Sequence, residues 1–220
     1  MCQFKSFIVF KEKIYWDKKK DSHSDMLEDL KVNDDSCFPN FVRVEVVPKD
    51  GDIFNHDLNN WNIKVDQDYK PEWFEVEEYE SRIKEQMQVV FEQCFAVNDN
   101  TWKEYRDTKI FVKNSKIKTF NSSVEAWGNS SVEAWGNSSV VAWGNSSVVA
   151  WGNSSVVARE NSSVVARENS SVVAWGNSSV LIPYSTSIKI KGVYDNASIK
   201  DLSSNPKIII AKEFIIEQFK

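Results

Sequence analysis

The most regular feature of this chain is an alternation of small and large side chains that repeats every eight residues. We number the positions of each octad from its first asparagine. Positions 2, 4 and 6 are Ser, Val and Ala throughout the regular octads, whereas positions 5, 7 and 8 vary among Glu or Val, Trp or Arg, and Gly or Glu. The octads start at Asn121, Asn129, Asn137, Asn145, Asn153, Asn161, Asn169 and Asn177.

This alternation predicts one β-strand per octad, because successive side chains of a strand point to opposite faces. The small, constant residues at even positions should face inward, and the variable residues at odd positions should face outward. Self-similarity at a fixed period indicates a solenoid. Weaker copies at Asn114, Ser185 and Asn196 extend the repeat, so we expect a β-solenoid over residues 107–212.

The size of the inward side chains bears on the number of octads in each coil. Ser, Val and Ala are too small to fill a wide tube and suit two sheets that lie close together. Neighbouring octads also share their variants, as Arg159 and Arg167 do. We therefore favour two octads per coil, and a coil of three octads remains the alternative. We assign the left-handed turn at each corner to the asparagine, although that asparagine could instead be a remnant of the repeat.

Residues 1–106 have a more varied pattern that predicts a small α+β domain. Short alternating or apolar runs indicate strands near residues 3–11, 13–16, 41–48 and 61–68. Ser22 and Asp25 have the spacing of a capping box before a short helix. Apolar residues at steps of three and four predict a longer helix over 71–95. This domain should cap one end of the solenoid, and residues 213–220 should cap the other.

Composition and charge narrow the class of protein. The 220 residues contain no apolar run long enough to span a membrane and no secretory cleavage site, which favours a cytoplasmic protein. Three widely spaced cysteines fit a reducing compartment. Residues 1–106 contain 15 Lys and Arg against 23 Asp and Glu, and this net charge of −8 argues against general nucleic-acid binding.

The outward positions provide the candidate binding residues. Stacked at the coil spacing, the large position-7 side chains should form a ladder, and with the position-5 valines they should form exposed apolar strips. Such strips are typical of an association surface. The alternatives are a ladder that only stiffens the stack, or a platform for carbohydrate. The candidate residues are Trp127, Trp135, Trp143, Trp151, Trp175, Arg159, Arg167, Val141 and Val149, with Val157, Val165 and Val173 in the same strips.

Sequence motifs for catalysis are weak. The chain has no phosphate-binding loop, zinc signature or G-x-S-x-G motif, so we expect no catalytic residue, cofactor or metal. His23 and His56 are interpreted as a helix-start residue and a loop residue. Cys2 or Cys37 could supply a nucleophile, but no motif supports either.

The stretch "ENSSVVA" resembles the octapeptide repeats of bacterial ice-nucleation proteins. The resemblance covers the repeat alone and implies coils of two octads with Ser122 and Val124 facing inward. The ice-binding face of that family has an outward Thr-x-Thr, where this chain has Ser123 with Glu125. Ice nucleation is therefore not expected. The N-terminal domain resembles that of octad-repeat proteins from gut bacteria and their phages.

The hypothesis that follows is a non-catalytic binding or scaffolding protein. Its outward strips would contact a protein partner or a second copy, and the resemblance implies a phage or bacterial accessory protein or inhibitor. One alternative places an enzyme or nucleotide-binding module in residues 1–106. Another is a solenoid that interacts with ice.

Overall fold

The computed structural model describes residues 4–33, 40–183, 187–202 and 206–210, and the chain divides into two compact units, residues 1–94 and 95–220. The expected terminal cap, residues 213–220, lies outside the described residues, as do Cys2 and Cys37. The second unit begins at Phe95, whereas the sequence pattern placed the start of the solenoid near residue 107. Residues 95–106 join the solenoid through strands that lack the Asn-Ser-Ser pattern, which is why the pattern did not mark them.

The first unit has the expected α+β composition. It has a four-stranded antiparallel sheet, two helices and one 3₁₀ turn at Leu58–Asn60. The Ser22 side chain caps the first helix by accepting the Asp25 N–H, as the capping-box spacing predicts. The elements are β1 Lys5–Val9, β2 Ile14–Tyr15, α1 His23–Asp29, β3 Val42–Pro48, β4 Trp61–Val65 and α2 Val76–Cys94. The strand order in the sheet is β2-β1-β3-β4.

The second unit is a parallel β-solenoid in which each coil has the length of two octads. The odd-numbered strands other than the last, β19, form one sheet, and the even-numbered strands together with β19 form the other, so each regular coil contributes one strand to each sheet. The strands are β5 Phe95–Val97, β6 Trp102–Arg106, β7 Lys109–Lys113, β8 Lys116–Phe120, β9 Ser123–Trp127, β10 Ser131–Trp135, β11 Ser139–Ala142, β12 Ser147–Ala150, β13 Ser155–Ala158, β14 Ser163–Ala166, β15 Ser171–Ala174, β16 Ser179–Ile182, β17 Lys189–Val193, β18 Ser198–Asp201 and β19 Lys207–Ile210.

The strand register confirms two octads per coil. In the odd sheet Ser139 pairs with Ser155, and in the even sheet Ser147 pairs with Ser163, so each position lies beside its equivalent two octads further along the chain. Among the described residues the two sheets have seven and eight strands, and only β19 runs antiparallel to its neighbour β18. The register shifts between β15 and β17, where the repeat becomes irregular.

The core between the two sheets consists of the even positions, as predicted. The serines at position 2, the valines at position 4 and the alanines at position 6 of the octads are at most 4% exposed. Burying one valine side chain contributes about 1.5–3 kcal/mol before the entropy of ordering the chain is subtracted. Because the inward residues are small, the same packing can repeat in every coil.

The corner residue corrects one prediction. The left-handed conformation belongs to position 8, where Gly144 has φ 67° and Glu160 has φ 53°, and not to the asparagine at position 1. Asn121, with φ 50°, takes this conformation because the seven-residue copy before it has no position 8. The position-1 asparagines instead link coils, as where Asn145 Nδ2 donates to Asn129 Oδ1 at 3.2 Å.

Candidate functional site

The outward positions of the octads form two separate surfaces, one on each sheet. We call the outer side of the sheet of odd-numbered strands the odd face, and the outer side of the other sheet the even face. Since pairing is parallel and in register, residues of equal position form straight rows across each face. Successive strands are about 4.8 Å apart, so each row is a closely spaced line of like side chains.

Position 7 forms a ladder of stacked rings at the edge of each face. On the odd face, Trp127 and Trp143 stack with centroids 5.2 Å apart, and the Arg159 guanidinium lies 4.7 Å from the Trp143 centroid. Arg159 also lies 5.7 Å from the centroid of Trp175, which stacks on Tyr194 at 3.8 Å. We call this set the odd ladder. Its rings cover one another, so no planar ligand fits between them.

The even face has its own ladder, which we call the even ladder. Trp135 and Trp151 stack at 4.9 Å with only 5° between their planes. Phe120 lies below Trp135 at 6.2 Å, and the Arg167 guanidinium lies 4.7 Å from the Trp151 centroid. Cation–π contacts of this kind contribute about 0.5–1 kcal/mol at exposed sites. Arginine therefore continues each stack where tryptophan is replaced.

Position 5 forms an apolar row in the middle of each face. The odd row contains Val141, Val157 and Val173 in register, and all three are half-buried. The even row contains Val149, Val165 and Leu181, of which Leu181 is 36% exposed. Serines at position 3 run beside both rows. Each face thus has an uncharged central row, with Arg159 or Arg167 in the ladder at its edge.

Charged residues lie at the two ends of these rows, and they differ between the faces. On the odd face Glu125 precedes the valines, whereas the exposed Lys189 and Lys191 belong to the last strand. On the even face Lys118 Nζ lies 3.3 Å from the Glu133 carboxylate, and the exposed Lys200 lies at the far end. Within β9–β17 the odd face therefore has a carboxylate at one end and two lysines at the other, and Lys109 and Lys113 of β7 lie beyond Glu125.

The position-8 glutamates have a structural partner at the corners. A carboxylate oxygen of Glu160 accepts the Gly144 N–H at 2.7 Å, and one of Glu168 accepts the Gly152 N–H at 2.5 Å. Each bond joins a corner to the coil before it. These carboxylates therefore hydrogen-bond within the solenoid, and we do not count them with Glu125 as charges of the outer faces.

The nine predicted binding residues fall into two groups. Their position in the octad was sufficient to place them outside, but alternate octads belong to alternate sheets. Sequence reasoning did not single out Glu125, Lys189 and Lys191, because their relation depends on which strands share a sheet. The odd group is Trp127, Trp143, Trp175, Arg159 and Val141, and the even group is Trp135, Trp151, Arg167 and Val149.

Comparison with family models, with curated proteins and with solved structures finds no match to this chain. Within the part of the chain that the structure describes, no helix is long and apolar enough to cross a membrane.

Proposed function

We propose that this protein is a non-catalytic binding protein that associates with a second copy of itself through the odd face. The observation that carries the proposal is the arrangement of charge along that face. Glu125 ends the valine row on β9, and beyond its other end β17 has Lys189 beside Ser171 and Lys191 at the register shift. A patch with an apolar central row, a carboxylate at one end and lysines at the other is complementary to itself.

The strand order gives the geometry of this pairing. In the odd sheet β9 and β17 are each two strands away from β13, which carries Val157. A two-fold axis through Val157 and parallel to the strands would place Glu125 of each copy opposite the lysines in β17 of the other, and it would bring the two Arg159 side chains near the axis. Isologous pairing of this kind is the commonest form of homo-oligomer. Complementary charges would set the orientation, and the valines would lose water.

The even face is less suited to pairing with itself. Within β10–β18 it has the same order of charges, with Glu133 at one end and Lys200 at the other, but the Glu133 carboxylate already lies 3.3 Å from Lys118 Nζ. Pairing through this face would therefore disrupt an existing ion pair.

The size of the odd face predicts a weak dimer. Five strands at about 4.8 Å and five residues at about 3.3 Å give about 400 Å² for each copy. A standard stable interface buries about 800 Å² on each partner. We therefore expect a weak dimer whose two chains dissociate readily, so that the dimeric fraction depends on the protein concentration.

Replacement of Val157 by Glu tests the proposal, because it places two carboxylates at the two-fold axis. Val165→Glu is the matched control, since it changes the same octad position on the even face. Sedimentation of the wild-type chain should show a mass rising with concentration from 25.3 kDa toward twice that value. Val157→Glu should stay monomeric, and Val165→Glu should behave like the wild-type chain.

A charge exchange tests the orientation. Glu125→Lys should weaken association, and combining it with Lys189→Glu and Lys191→Glu should restore it. A wild-type chain that is monomeric at every concentration, or equal effects of the two valine variants, would overturn the proposal. Concentration-independent protection of the odd face from hydrogen exchange would then indicate cover by another segment, such as residues 211–220 outside the described part.

A further inference from the structure

A cluster of possible metal ligands lies in the first unit. His23 begins α1, Glu45 lies in β3, and Asp66 follows β4 directly. One ligand atom from each of these residues lies within 4.8 Å of the others. The Asp66 N–H donates to the Arg43 carbonyl at 2.9 Å, which fixes the end of β4 beside β3.

The hydrogen bonds of His23 orient its ring for coordination. Its Nε2 lies 3.1 Å from the Val44 carbonyl oxygen, which can only accept, so Nε2 carries the proton of that bond. The other nitrogen, Nδ1, faces Asp66 Oδ2 at 3.1 Å. Histidines that bind metal ions usually donate their second N–H to a carbonyl or carboxylate in this way.

Glu45 supplies the third ligand and is itself largely buried. The residue is 8% exposed, no hydrogen bond or ion pair to its carboxylate is found among the described residues, and the exposed Lys64 lies opposite it across β3 and β4. A buried carboxylate is unfavourable unless a cation or a donor compensates its charge. Its carboxylate converges on the imidazole and on a second carboxylate. This arrangement is unfavourable alone and becomes favourable around a cation.

We infer that His23, Glu45 and Asp66 bind one divalent first-row metal ion. Zn²⁺ is the ion used to test this inference. One imidazole nitrogen and two carboxylate oxygens suit such an ion better than Ca²⁺, which takes six to eight oxygen ligands. Ligands about 2.1 Å from a metal lie about 3–3.5 Å from one another, and His23 Nδ1 and Asp66 Oδ2 already have that separation. The Asp66 side chain is 56% exposed, which leaves the ion open to water.

Calorimetric titration of the full chain with Zn²⁺ tests this site. Cys2→Ser and Cys37→Ser are made in every sample so that these thiols do not compete for zinc. We expect one zinc ion per chain and an affinity at least about tenfold weaker in Glu45→Gln and in Asp66→Asn. Asp66 is exposed, so Asp66→Asn should fold normally even if Glu45→Gln does not.

His56→Gln is the control for a general effect of histidine. The His56 ring stacks on Phe91 at 4.2 Å, and burial lowers the pKa of His56. It contributes no ligand to the cluster, so its replacement should leave the zinc affinity unchanged. Zinc should also raise the melting temperature of the wild-type chain more than that of Asp66→Asn. Absence of zinc binding, or equal affinity in wild type and Asp66→Asn, would reduce the cluster to a His–Asp contact and overturn the inference.

Discussion

At the scale of single residues, the inward serine solves a problem that the corner creates. The chain turns after position 7, and in most octads the carbonyl at that position lies beyond the end of the strand. In most octads the serine three residues later donates to this carbonyl, as where Ser130 Oγ bonds the Trp127 oxygen at 2.6 Å. Ser162 makes the same bond to Arg159 at 2.5 Å and a second to Ala142 at 3.0 Å. The small inward serine thus also donates a hydrogen bond at the corner.

Ser162→Ala should therefore lower the free energy of unfolding by about 0.5–1.5 kcal/mol, because the Arg159 and Ala142 carbonyls each lose one of their two donors. Ser163→Ala is the matched control, since the neighbouring serine is exposed on the even face. Its effect should stay within about 0.5 kcal/mol. Urea unfolding followed by tryptophan fluorescence measures both, and equal midpoints would contradict this account of the serine.

The octad pattern was sufficient to predict which residues face inward, because strand geometry alone decides it. It was not sufficient to locate the left-handed residue. Asparagine is tolerant of that conformation, and the glutamates at position 8 argued against assigning the turn there. The structure shows that Glu160 takes this conformation with its carboxylate bonded to the Gly144 N–H in the preceding coil. That contact joins residues two octads apart, so no local rule could reveal it.

At the scale of elements, the two ladders give the corners a continuous stack of their own. Trp143 contacts Trp127 on one side and Arg159 on the other. An aromatic pair contributes about 0.5–1.5 kcal/mol beyond its buried area, and a cation–π contact about 0.5–1 kcal/mol. These terms act between successive coils, in addition to the packing of the core side chains. Stiffening of the stack and association through a face are therefore compatible roles.

Trp143→Ser should remove both contacts and lower the free energy of unfolding by about 1–2.5 kcal/mol. It should also reduce the near-ultraviolet circular dichroism that stacked indoles produce. Trp102→Ser is the control, because Trp102 lies in β6 and is 47% exposed. An equal loss of near-ultraviolet signal in the two variants would show that stacking in the odd ladder is not the source of that signal.

Elements with strong periodicity were predictable, and those without it were not. The spacing of Tyr79, Ile83 and Met87 predicts the buried side of α2, and all three are buried. By contrast, β6 contains Trp-Lys-Glu-Tyr-Arg and is mostly exposed, so its sequence resembles no octad. It joins the even sheet because pairing with β8 supplies its hydrogen bonds. Backbone pairing, rather than side-chain pattern, determines such a strand.

At the scale of the whole molecule, the unit of construction is the pair of octads. Within the regular part of the repeat, a strand pairs only with the strands two octads before and two octads after it. Stability in such a stack is approximately the sum of the coils and their nearest-neighbour contacts. The length of the solenoid should therefore be adjustable in steps of two octads without disturbing the remaining register.

Deletion of residues 153–168 should leave a folded chain, because Trp143 would then stack directly on Trp175. Deletion of residues 153–164 should disrupt the solenoid, since it would bring inward valines out of register with the coils below. Far-ultraviolet circular dichroism and the cooperativity of urea unfolding distinguish the two. If the two deletion variants are equally unfolded by these measurements, nearest-neighbour stacking does not account for the stability of this molecule.

The candidate sites show where prediction from sequence ends. The position of Val157 on an outer strip follows from its place in the octad, but its place midway between Glu125 and Lys189 depends on which strands share a sheet. His23, Glu45 and Asp66 lie on three separate elements without the short spacing of a metal motif. Their convergence depends on the pairing of β3 with β4 and on the position of α1. Tertiary structure, and not motif, creates both arrangements.

The reversal of the chain at β19 has a consequence for growth. A parallel stack of nearly identical coils would otherwise end in an edge that matches the first strand of any similar stack. Since β19 runs antiparallel to β18, that edge has a different pattern of amide and carbonyl groups. Exposed parallel edges are templates for open-ended polymers. The hairpin thus gives the even sheet an edge that a parallel strand of another stack does not match, whereas the odd sheet ends, among the described residues, in the parallel strand β17.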